Sequence, residues 1–196
     1  MLEIRETSFG DSKKDEIIWN AFKNGDKQAY ATLYQRYFKM LLQYSLKVYH
    51  DSDLAKDCIH DLFVEMWKCR ANLTEPSSVK AYLLKAIRRK LVRHINKFRL
   101  KQQEPDASRP LEVVYCREEQ IIEEQIKQER KTDVNRALNT LTRRQKEAVY
   151  LKFYLNLSYK EIAETMAINI NSIYNLISKA IDILHEEIRK TEKMRI

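Results

Sequence analysis

Four carboxylates recur at intervals of four, Asp53, Asp57, Asp61 and Glu65, a spacing that stacks them along one face of a helix. Like charges so placed repel by roughly 0.2–0.5 kcal/mol per pair. The stripe therefore asks for cations, supplied either by neighbouring lysines or by a basic partner surface. Metal chemistry is the poorer fit. His60 lies among the acids, but a helical stripe lacks the ligand loop of a calcium site, and no HExxH-like pair occurs. A second set has the opposite sign: from Lys80 to Lys97 there are seven Lys or Arg and no acid. Of these, Lys80, Lys85, Arg88, Arg89, Arg93 and Lys97 are candidates to follow a phosphate backbone and release its counterions. Tyr82 and His94 in the same run could stack on exposed bases or equally lie in a core. A third set, Asn171, Ser172, Tyr174, Asn175, Ser178 and Lys179, carries hydrogen-bonding groups of the size that reach base edges and phosphates in a major groove. No Ser/His/Asp, cysteine-histidine or glycine-rich phosphate pattern is evident, so the sequence points to binding rather than to an enzyme, and it asks for no cofactor.

The elements that must position these groups are helices. Ser158 and Glu161 form an S-x-x-E capping box, which starts a helix at about Tyr159 with Ile162, Ala163 and Met166 on its buried face. A joint follows near Ala167 to Asn169. Asn169 suits the N-cap of a second helix, whose core face runs through Ile173, Ile177, Ala180, Leu184 and Ile188. Two helices around a tight joint read as a helix-turn-helix, with an ordinary helical hairpin as the alternative on this segment alone. The acidic stripe sits on a helix begun by Asp51-Ser52-Asp53 and reaching about Arg70. Asn72 to Ser78 form a loop around Pro76, and Ser77 or Ser78 can cap the basic helix from about Val79 to Phe98. On that helix Leu84, Ile87, Leu91, Ile95 and Phe98 recur as one core face. Upstream, helices interrupted near Asn24-Gly25-Asp26 are expected between Ile17 and Tyr49, behind a loose tail.

The chain has 196 residues, 44% of them hydrophobic, with two glycines and three prolines. Such sparse punctuation favours an all-α protein over strands and turns. Net charge is +8, unevenly spread. Residues 19–98 hold 15 basic and 7 acidic side chains and residues 131–196 hold 12 and 8, whereas 1–18 and 99–130 are each net negative by two. The expected organisation is a tail (1–18), a basic helical lobe (19–98), a linker with a leading helix (99–130) and a second basic lobe (131–196) containing the helix-turn-helix. Pro105 and Pro110, with no clean period around them, make the stretch from Arg99 to about Arg117 extended or partly disordered, a flexible linker. Cys58, Cys69 and Cys116 are odd in number and lack CxxC spacing, which argues against a disulfide framework or zinc and for a reducing, cytoplasmic compartment. No apolar run approaches the roughly 20 residues of a membrane span, and the first residues do not read as a signal peptide.

With these residues in view, the chain resembles the extracytoplasmic-function group of bacterial sigma factors. Asp57, His60-Asp61, Phe63 and Trp67 are similar to the family's region 2.2 pattern, with His60 where a glutamine is usual. The resemblance implies that Asp53, Asp57, His60, Asp61 and Glu65 dock on core RNA polymerase. Ala81-Tyr82-Leu83 and the basic run through Lys97 resemble regions 2.3 and 2.4, implying contact with the minus-ten promoter element. The loop from Asn72 to Ser78 falls where family members hold a flipped base. The segment from Ala137 through Leu157-Ser158-Tyr159 and Glu161-Ile162-Ala163 to Lys179-Ala180 resembles region 4, reader of the minus-thirty-five element. Thr142 stands at a common proline, Ala167 at the usual turn glycine, and Tyr174 and Leu176 at commonly basic positions. The implied partners are core RNA polymerase, promoter DNA and an anti-sigma factor. Two other readings stand beside this one. A conventional helix-turn-helix regulator would leave the acidic helix unexplained. An adaptor that only sequesters an anti-sigma protein would not need the cations between Lys80 and Lys97.

Overall fold

Asp26 and Asp51 decide where two of the helices begin. Each has extended backbone and turns its carboxylate onto free amides of the first helical turn, Asp26 accepting from Gln28 and Ala29 and Asp51 from Asp53 and Leu54. The computed structural model describes residues 12–101 and 136–193, which form two separate units. Beyond Lys101, the linker and leading helix expected over 99–130 lie outside the described residues, as does Cys116.

The first unit contains α1 (Ser12–Lys23), α2 (Lys27–Val48), α3 (Ser52–Cys69), a 3-10 turn (Arg70–Asn72) and α4 (Val79–Lys101). The tail expected over 1–18 is thus too long: from Ser12 onward the chain is helical. Between α1 and α2 the chain reverses through Gly25 at φ +90°, a conformation that a Cβ would strain. Helix α2 packs against α1, α3 and α4. Trp19 and Phe22 of α1, Tyr37 and Tyr44 of α2, Phe63 of α3 and Leu84 and Ile87 of α4 are fully buried. Ser78 caps α4, its hydroxyl accepting from the Ala81 amide at 3.2 Å.

One polar cluster crosses this core. Asp15 on α1 is buried; the Tyr37 hydroxyl donates to its Oδ2, and Arg36 Nε lies 3.1 Å from its Oδ1. The arginine approaches off the hydrogen-bonding line, so charge rather than a directed bond holds it. Burial, together with the Asp15 carboxylate, pushes the Tyr37 phenol far above its ordinary range.

The second unit contains a helical stretch at 136–140, α5 (Arg143–Val149), a π turn (Tyr150–Tyr154), α6 (Tyr159–Met166) and α7 (Ile170–Lys193). Helices α5 and α6 both pack on α7. Thr142 caps α5 through a reciprocal box with Gln145, so the residue at the common proline position still starts a helix by satisfying its amides. Among the described residues every regular element is helical and none is a strand, and the fold is all-α.

Candidate nucleic-acid interface

The joint between α6 and α7 is built almost entirely by local chemistry. Ser158 Oγ accepts from the Glu161 amide, and Glu161 Oε2 accepts from the Ser158 amide at 2.8 Å, the reciprocal box that starts α6. The helix stops at Ala167, whose φ of 55° and ψ of 46° are left-handed. Asn169 Oδ1 then accepts from the Asn171 amide at 2.7 Å and starts α7. Ile162, Ala163 and Met166 are buried against Ile173, Ile177 and Ala180 of the second helix. Leu184 and Ile188, expected to continue that core face, are only half-buried.

On the opposite side of α7, Asn171, Ser172, Tyr174, Asn175, Ser178 and Lys179 are all exposed. Asn171, Tyr174, Asn175 and Ser178 follow a three, one, three spacing, which gathers them on one helical face. Tyr174 is 49% exposed yet held: its ring stacks on Tyr159 of α6 with centroids 4.3 Å apart and planes 26° apart. Lys152 Nζ sits over the Tyr159 ring at 4.5 Å. The stacking role of Tyr159 and the part of Lys152 escaped sequence reasoning, because a contact made across a turn leaves no trace in the period of either helix. Leu176 is half-buried, so its position serves packing rather than charge.

In the first unit, Asp53, Asp57, His60, Asp61 and Glu65 are all exposed on α3. Two of the acids have cations. Asp53 pairs with Lys56 at 3.5 Å, and Glu65 with Lys90 of α4 at 2.6 Å. Among the described residues, Asp57 and Asp61 have no ion-pair partner, so the middle of the stripe keeps its negative potential. On α4, Arg89, Arg93 and Lys97 are exposed, whereas Lys80, Lys85 and Arg88 are half-buried and engaged in interactions of their own. His94 is exposed. Tyr82 packs edge-on against Trp19 at 5.2 Å, and burial raises its phenol pKa. Of the two readings open for Tyr82, its ring follows the core one. Trp67, on the same helix as the acids, packs against Tyr30 at 5.1 Å and carries Arg70 over its ring at 4.5 Å.

Cys58 and Cys69 carry free thiols. Among the described residues no cluster of His, Cys, Asp or Glu could hold a metal ion, and no helix is long and apolar enough to cross a membrane.

Two family descriptions match the chain in order: Sigma-70 region 2 over residues 33–99 and Sigma-70, region 4 over residues 131–184. No curated protein matches the sequence significantly. Solved structures share the fold. CnrH, in complex with the cytosolic domain of CnrY, is 17% identical with a TM-score of 0.58 and covers 90% of this chain and 97% of its own. The sigma factor RpoE of Bartonella quintana, in complex with the anti-sigma factor NepR, is 20% identical with a TM-score of 0.55, covering 90% and 95%.

Proposed function

The chain belongs to the sigma-70 family, in its extracytoplasmic-function group, and from that membership we propose how its two units divide the work. As an RNA polymerase sigma factor the protein serves promoter recognition. The observation that carries this function is the order of the two region matches along one chain, each falling on one of the two helical units.

The first unit docks through the α3 stripe, with Asp53, Asp57, His60, Asp61 and Glu65 facing a basic surface of core polymerase. Support comes from the exposure of all five side chains and from the unpaired middle of the stripe, where attraction to cations is strongest. On α4, Lys80, Lys85, Arg88, Arg89, Arg93 and Lys97 hold the DNA of the minus-ten element as it opens. Exposed Arg89, Arg93 and Lys97 make the salt-sensitive phosphate contacts. The second unit (131–196) sets α7 in the major groove of the minus-thirty-five element, with Asn171, Ser172, Tyr174, Asn175, Ser178 and Lys179 toward the bases and backbone. Asn side chains suit adenine, and Lys179 suits a phosphate or a guanine. The protein performs no chemistry itself: it positions DNA for the polymerase, in the cytoplasm where that enzyme works. An anti-sigma factor restrains it, a reading supported by the partner bound to the sigma factor in the similar Bartonella structure.

Transcription in vitro with purified core polymerase tests the whole. Addition of the chain is expected to start RNA synthesis at specific promoters. Failure to start it at any promoter, with the helical content of the chain intact, overturns the assignment.

A further inference from the structure

The exposed face of α7 holds one large side chain among small polar ones. Tyr174 stands in its middle, with Asn171 one turn before, Asn175 beside it and Ser178 one turn after. One face of its ring is covered by Tyr159 at 4.3 Å, and Lys152 secures Tyr159 from another direction. A side chain stacked in this way has given up its rotamer freedom before any ligand arrives, so little further entropy is lost on binding. Tyr174 remains 49% exposed, and apart from its hydroxyl the ring is flat, apolar and uncharged.

Within a major groove, one base offers an apolar group of matching kind: the 5-methyl of thymine. The Tyr174 hydroxyl can donate to a phosphate, but such a bond would be lost in Tyr174→Phe and would not sense a thymine methyl, whereas stacking on a base would require that base to leave the duplex. The neighbouring residues agree. Asn pairs with the N6 and N7 edge of adenine, and none of Asn171, Tyr174, Asn175 and Ser178 is a cation that would select guanine, Lys179 lying a turn beyond Asn175. We infer that Tyr174, held by Tyr159, reads the methyl group of a thymine in an A·T pair of the upstream element. The inference rests on the proposed duplex-reading role of α7 and specifies which base chemistry that helix recognises. Tyr174 is then a specificity-determining residue, and Tyr159 is a positioning residue that acts through it.

The test uses the full chain bound to core polymerase. Preferred upstream sequences are first selected from a pool of random duplexes, and each thymine in the selected site is then replaced singly by uracil, which removes the methyl and nothing else. With the unaltered protein, one or two replacements are expected to weaken binding about fourfold, the weight of one methyl-sized group returned to water. Tyr174→Ala should abolish that sensitivity, whereas Tyr174→Phe, which keeps the ring, should retain it. Tyr159→Ala should lessen it and Tyr159→Phe restore it. A selected site at which every uracil is silent, or a uracil penalty that survives in Tyr174→Ala, overturns the inference while leaving duplex reading intact. Selection of no preferred sequence overturns duplex reading itself, and the inference with it.

Discussion

Replacing Ala167 by glycine should make the second unit more stable, although it removes a methyl group and adds no contact. Ala167 holds φ 55° and ψ 46° at the end of α6, and a Cβ in that left-handed region costs roughly 1–2 kcal/mol. Glycine avoids the clash but brings a more disordered unfolded chain, which gives back about 0.4–1 kcal/mol. The methyl is exposed, so no packing is lost, and the backbone bond from Ala167 to the Ala163 carbonyl is available to either residue. The net expectation is a gain of about 0.5–1 kcal/mol, or roughly 3–6 °C in the unfolding midpoint of a unit this small. Both tryptophans, Trp19 and Trp67, lie in the first unit. Their fluorescence therefore supplies an internal control, while hydrogen exchange at the amides of α6 and α7 reports on the second unit. The expected result is slower exchange there with an unmoved tryptophan transition. Substitution by Asn, which tolerates the left-handed region, should fall between Ala and Gly, and Val should be worse than Ala. Unchanged or faster exchange in Ala167→Gly would refute the reasoning, since it would mean that the left-handed residue carries no strain.

Charge reversal at the centre of the acidic stripe, Asp57→Arg with Asp61→Arg, should weaken binding to core polymerase by about tenfold or more while leaving the midpoint of unfolding nearly unchanged, because both side chains are exposed. Equilibrium titration with labelled core polymerase checks it. Arg89→Ala and Arg93→Ala should each reduce the slope of log affinity against log salt for promoter DNA by about one, which binding measured at several salt concentrations reads directly. The Tyr37 phenol titrates higher in the folded unit than in the unfolded chain. Its share of stability is therefore complete below about pH 10, the unfolded value, and declines above it by up to about 1.4 kcal/mol per pH unit. Denaturant unfolding followed by tryptophan fluorescence should show this alkaline decline, and Tyr37→Phe should flatten it while costing about 1–3 kcal/mol at neutral pH, because Asp15 loses its donor.

The legible parts of this protein are those written within one turn of helix. Ser158 with Glu161, Asp51, Asn169 and Ser78 satisfy amides two or three residues away, so their types and spacing disclosed both the helix starts and the helix-turn-helix. The faces of α3 and α7 were legible for the same reason, since charge and polarity repeat with the helical period. Contacts between distant segments left no such mark. Nothing in the residues around Asp15 announces that a carboxylate in an apparently loose tail will meet Arg36 and Tyr37. Lys90 looks like one more cation of the basic run until Glu65 lies 2.6 Å away on the neighbouring helix. Tyr82 has the composition of a base-stacking residue and is occupied by Trp19. In each case the deciding neighbour is set by packing between helices, which one helix's sequence does not encode.

The Asp15 cluster separates two boundaries that are easily conflated, that of resemblance and that of folding. The region 2 match begins at residue 33, yet the unit it falls in includes α1 from Ser12. A fragment cut to the matched range would leave Arg36 and Tyr37 facing the place of a missing carboxylate and would strip Trp19 and Phe22 from the core. Lost burial of two large aromatics costs about 3–5 kcal/mol each, much of what holds a small domain together. A piece of the first unit meant to fold by itself is therefore expected to need α1, which begins at Ser12, some twenty residues before the region 2 match.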